Sequence, residues 1–162
     1  MSTFEDGNYK WRETYFVLFD AGKRPPLESI AKALQRINRR FELSNLTADE
    51  QGLFESLTLH SPQDYAAIDI CYAADEDVSE QGATLAKDLQ ATATDPEERT
   101  KLARLPKCNA RLDILHFEQV VGGEDGDESE ELLDPSALLT ILDTLVDMTG
   151  GVGVDPQSGA VF

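Results

Sequence analysis

The stretch LFESLTLHSPQDYAAIDICYA, residues 53–73, decides the fold class. Its first half alternates, with Leu53, Leu57 and Leu59 on one side, and a period of two marks a strand with one buried face. Ser61-Pro62-Gln63-Asp64 is turn-forming by composition. From Tyr65 to Ala73, Ile68, Ile70 and Tyr72 share one face, and Asp69 and Cys71 share the other. Two such runs joined by a short turn pair as an antiparallel hairpin. A hairpin at this place is incompatible with a simple series of parallel βαβ units. The expected class is therefore α+β, with an antiparallel or mixed sheet.

Upstream, Tyr15-Phe16-Val17-Leu18-Phe19 is a continuous apolar run of strand-favouring residues inside a strand over 11–20. Its lack of alternation predicts burial on both faces and a central position. Residues 1–10 are polar and read as a flexible arm. After Pro25-Pro26, the residues Leu27, Ile30, Ala31, Leu34, Ile37 and Phe41 recur at helical spacing. Phe41-Glu42-Leu43 has the makings of a short strand, and Thr47 to Glu50 has capping-box spacing, although Gly52 follows too soon for a long helix.

Downstream, Asp75–Ala93 reads as a helix with acids at its start and Lys87 near its end. Asp95-Pro96-Glu97-Glu98 opens a second helix that stops before Pro106. Arg111–Val120 is a strand, with Leu112 and Ile114 opposed to Leu115 and Phe117. An acidic loop over 122–134 follows. A helix then starts at Asp134-Pro135 and reaches Gly150, and a small hairpin ends the chain. The order predicts one α+β domain over 11–162: a two-layer sandwich with a ferredoxin-like β-α-β-β-α-β core, a C-terminal helix and a short hairpin. No segment is apolar for the ~18 residues that a membrane span needs, and the start lacks the pattern of a signal peptide.

The sequence has 162 residues, 14 of them Lys or Arg and 31 Asp or Glu, for a net charge of −17. Such a chain repels nucleic acid and anionic lipid at long range, so neither is expected as a partner. The charge is also segregated. Lys23, Arg24, Lys32, Arg36, Arg39 and Arg40 stand against Glu28 alone, whereas seven acids and no base occupy Glu124–Asp134. Eight acids face Lys87 between Asp75 and Glu98. On the helix over 27–41, Lys32, Arg36, Arg39 and Arg40 fall opposite the apolar stripe, and they are the expected partner-facing residues.

Chemistry-bearing motifs are sparse. There is no phosphate loop, no GxSxG elbow and no CxxC or HxxxH pair, so no cofactor is expected. Asp69, Cys71 and His116 could form a Cys-His-Asp set if the sheet brought them together. Asp125, Asp127 and Ser129 alternate like the first ligands of a calcium loop, but Glu130 replaces the turn glycine and Ser136 the closing glutamate. Two cysteines are too few for a disulfide scaffold, which suggests free thiols and a cytoplasmic setting.

These features point to a non-enzymatic protein–protein interaction module. The alternatives are an enzyme or small-ligand binder with a cleft at one end of the sheet, and an acidic mimic of nucleic acid. The two-faced apolar strand 11–20 needs cover on both sides. A homodimer through the sheet, a second helical layer within the chain, or another protein would supply it.

Overall fold

A computed structural model describes residues 9–61, 66–119 and 135–162. Its seven strands form one antiparallel sheet in the order β2-β3-β4-β5-β1-β6-β7. They are β1 (Tyr9–Phe19), β2 (Glu42–Ala48), β3 (Phe54–Ser61), β4 (Ala66–Ala73), β5 (Ala110–Gln119), β6 (Val152–Asp155) and β7 (Ala160–Val161). The helices are α1 (Leu27–Ile37), α2 (Glu76–Gln90), α3 (Pro96–Arg104) and α4 (Pro135–Thr149). The α+β class and the β3–β4 hairpin are as expected. The strand begins at Tyr9, so the last two residues of the expected arm pair with β5.

β1 lies between β5 and β6, and its alternating side chains feed two separate cores. Tyr15, Val17 and Phe19 join Ile30 and Leu34 of α1, Ile141 and Leu145 of α4, and the inward residues of β3–β5. Leu18 and Phe16 point the other way, to Val78 and Ala86 of α2, Leu102 of α3, and Val152 and Val154 of β6. Gly82 lets α2 come down here, since a Cβ on it would sit 2.4 Å from the Leu105 carbonyl oxygen.

Helices therefore cover both faces, and the two-layer expectation is corrected to three layers. The ferredoxin-like core is corrected as well. That arrangement inserts β1 between the strands here called β4 and β5, whereas β5 itself lies between β4 and β1. The argument for a dimer through the sheet rested on an uncovered apolar face of β1, and α2 and α3 cover that face within the chain.

Residues 42–48 form a full edge strand, with no helix at Thr47–Glu50. Asp49 uses its capping chemistry in a turn, its Oδ1 accepting from the backbone N–H of Gln51 at 2.8 Å and of Leu53 at 3.0 Å. Those bonds, with the Arg24 guanidinium paired to it, hold its carboxyl below the usual range. Arg24 also lies over the Tyr72 ring, 4.3 Å from its centroid. A bulge pairs Ala48 with Phe54 directly after Thr47 with Ser56. It turns Phe54 into the core and leaves Leu53 half-buried.

Candidate functional site

α1 follows from its apolar spacing. Ile30 and Leu34 are fully buried, and Leu27 and Ile37 pack partly buried against the same core. That fixes the phase, so Lys32, Gln35 and Arg36 are exposed on the opposite side. The helix ends at Ile37 rather than at the expected 41, because the backbone turns extended at Asn38, so Arg39, Arg40 and Phe41 lie beyond it. The Asn38 side chain accepts from the Arg40 N–H at 2.9 Å, and Phe41 N–H donates to the Asn38 carbonyl at 3.1 Å. Phe41 then anchors the turn by burying its ring. This turn holds Arg39 and Arg40 exposed beside the last helical turn. Lys32, Gln35, Arg36 and Arg39 line a shallow depression of about 430 Å³. Among the described residues, no acidic side chain forms an ion pair with Lys32, Arg36, Arg39 or Arg40. The acids of α2 and α3, among them Asp77, Glu80, Asp88 and Glu97, are exposed across the sheet. α4 packs beside α1 and carries Asp143 and Asp147 exposed.

Asp69 and Cys71 lie on the second face of β4, the thiol 3.8 Å from Asp69 Oδ2. Thr58 donates to Asp69 Oδ1 at 3.1 Å and accepts from Asn45 Nδ2 at 3.3 Å. Asn45 adopts a left-handed backbone, with φ of 53°, a conformation in which asparagine is enriched. His116 is not part of this row. It is in register with Ile68, whose side chain enters the first core, so its ring is on the opposite face from Asp69 and Cys71. There it is buried, with Nδ1 3.5 Å from Glu13 Oε1. The sheet itself thus separates His116 from Asp69 and Cys71, which stay together. Burial, then the charges of Asp69 and Asp113, push the Cys71 thiol up to about 11. At neutral pH it keeps its proton and is a poor nucleophile. Burial likewise raises the Asp69 carboxyl. Neither cysteine is in a disulfide.

Asp125, Asp127 and Ser129 fall outside the described residues. Among the described residues, no group of three or more His, Cys, Asp or Glu side chains could hold a metal ion, and no helix is long and apolar enough to cross a membrane. Two polar clusters escaped sequence reasoning. Arg111 binds Asp113 and Gln81, which ties β5 to α2. Lys23, Arg104 and Lys107 meet at one end of the sheet. Their separation along the chain hides them, although Lys107 beside Pro106 and Lys23 beside Gly22 both mark basic turns. Comparison of the chain with protein-family models, curated proteins and solved structures finds no match.

Proposed function

We propose that this chain is a non-enzymatic protein–protein interaction module that docks an acidic partner surface on the α1 face. One observation carries the reading: Lys32, Arg36 and Arg39 line a depression with Arg40 exposed beside them, none in an ion pair among the described residues, on a protein of net charge −17. Exposed bases cost nothing to present and gain from an acidic partner, chiefly in association rate and orientation. The molecule's overall negative charge sharpens the choice, because an acidic partner is repelled by most of the surface and attracted at basic patches such as this one. Two free thiols support a cytoplasmic setting.

The test uses parallel baits: the native protein, the charge-reversed variant R36E/R39E, and a control variant D77K/E80K on α2. A direct partner should bind the native and control baits, lose about tenfold or more in affinity for R36E/R39E, and weaken as salt rises from 50 to about 300 mM. Equal binding by native protein and R36E/R39E overturns the proposal. A partner lost only by D77K/E80K would favour the acidic face, and the nucleic-acid mimic, instead.

A further inference from the structure

A second concentration of positive charge lies where β1 and α3 end and β5 begins. A cavity of about 140 Å³ there is lined by Asp20, Lys23, Arg104, Lys107, Cys108 and Gly150, with Phe19 behind them. The three bases come from three separate segments: the turn after β1, the last turn of α3, and the turn that leads into β5.

The backbone around this cavity is firmly tied. Asp20 Oδ1 accepts from Gly22 N–H at 2.9 Å, and the Asp20 carbonyl accepts from Lys23 N–H at 2.8 Å. Ala21 N–H donates to Asn109 Oδ1 at 2.8 Å, and Asn109 N–H donates to the Phe19 carbonyl at 3.1 Å. On the other wall, the Cys108 thiol donates to the Arg104 carbonyl at 3.4 Å, and Ser79 Oγ donates to the Cys108 carbonyl at 3.3 Å. These bonds fix the two basic turns relative to each other. Gly150 has φ of +64°, and a Cβ built on it would lie 3.5 Å from Lys23 Nζ, so the ammonium sits against the end of α4.

Capping of α4 does not account for all this charge. The described last turn of α4 holds no base, and Arg104 supplies one by bonding the Gly150 carbonyl. A helix C-terminus amounts to about half a negative charge. With Asp20, that leaves three cations facing roughly one and a half negative charges. Arg104 has five N–H donors, and the bond to Gly150 uses one of them. Among the described residues, neither Lys23 Nζ nor Lys107 Nζ has a hydrogen bond or an ion pair.

We infer that this cavity is a binding site for a single small oxyanion, a phosphate group above all, held between Lys23, Lys107 and the free donors of Arg104. A guanidinium with two ammonium groups suits the several oxygens of a tetrahedral anion. The volume limits the ligand, since sites for drug-sized molecules start at about 300 Å³. Only the phosphoryl end of a larger molecule enters, or inorganic phosphate alone.

The experiment is a ¹H–¹⁵N titration of the intact protein with inorganic phosphate and, in a second arm, with phosphoserine. Sodium chloride at matched ionic strength is the control. The expected result is a saturable one-site response confined to the amides of residues 20–24, 104, 105, 107–109 and 150–151, absent with chloride. Variant K23Q/K107Q should weaken it by about tenfold or more, with an unchanged melting temperature showing that it folds. Variant R36Q/R39Q should leave it unchanged. Tighter binding of phosphoserine would assign the site to a phosphorylated compound, and equal binding to the free ion. A response that does not saturate, that centres on residues 32–40, or that survives in K23Q/K107Q overturns the inference.

Discussion

On the second face of the sheet, β1 and β6 present Phe16, Leu18, Val152 and Val154 to α2 and α3, whereas β3 and β4 present Ser56, Thr58, Asp69 and Cys71. Neither β3 nor β4 gives a residue to the cluster beneath those helices. The two halves are continuous backbone, joined through β5, yet they are stabilised by different physics. The first gains from removing apolar area from water, about 25 cal/mol for each Å². The second bonds polar side chains along a row from Asn45 through Thr58 to Asp69, because a buried polar group left unpaired costs more than a bond returns. Ser44, in register with Thr58, is an exception, its Oγ buried without a partner among the described residues. A sheet face need not be apolar to be ordered, provided its side chains satisfy one another.

The sharpest way to break this contrast is Leu18→Ala. Leu18 is fully buried beneath α2 and α3, so the variant should lose about 2–5 kcal/mol in chemical denaturation. A loss under about 1 kcal/mol would mean that the helices do not seal this half. In the polar half, Thr58→Val keeps the shape and removes the hydroxyl. Asp69 loses a donor and Asn45 an acceptor, for an expected loss of about 1–2 kcal/mol. Thr58→Ser should recover most of it. No loss in Thr58→Val would show that water replaces the hydroxyl and that the row contributes no stability.

The smallest effect concerns pH. Burial raises the Asp69 carboxyl above its unfolded value, so the folded state holds that proton where the unfolded state has released it. The contribution is full below the unfolded pKa of about 3.9 and is lost as pH rises through the folded one. Asp69→Asn keeps an acceptor for Thr58 without the charge. Relative to native protein it should therefore gain stability as pH rises from 3 toward 7. Parallel curves for the two proteins across that range would refute the assignment.

How far each element was legible depended on whether its signal was local. The two-faced apolarity of β1 was plain in Tyr15–Phe19, because a central strand carries its environment in its own side chains. The N-cap at Asp95 was equally plain, and it accepts from Glu97 N–H at 3.0 Å. At Asp75 only the helix-dipole pattern was legible, and the structure adds that its side chain caps α2 by accepting from Val78 N–H at 3.2 Å. β2 was largely hidden. As an edge strand with one paired side, ELSNLTA has no apolar alternation to read. Thr47 to Glu50 suggested a helix start by its capping-box spacing, whereas the side chain that bonds the N–H groups ahead is Asp49, and it closes a turn. Lys32 and Arg36 were legible from helical phase, whereas Arg39 and Arg40 are exposed by the turn after α1 instead. The cavity of Lys23, Arg104 and Lys107 was not legible, since its members are brought together only by chain reversal.

The sequence by itself determined the α+β class, the β3–β4 hairpin, the four helices, the phase of α1 and a net charge of −17, all of which follow from residue periodicity and composition. The tertiary structure alone decided that β5 lies between β4 and β1, that α2 and α3 fold back over Leu18, and that His116 is turned away from Cys71. The reason is physical. Periodicity reports which residues of one element share a face, but the relation between elements is set by register and by packing summed over the whole sheet. A one-residue shift in register exchanges the two faces of a strand, so His116 beside Ile68 is in one core, where beside Asp69 it would have been in the other layer.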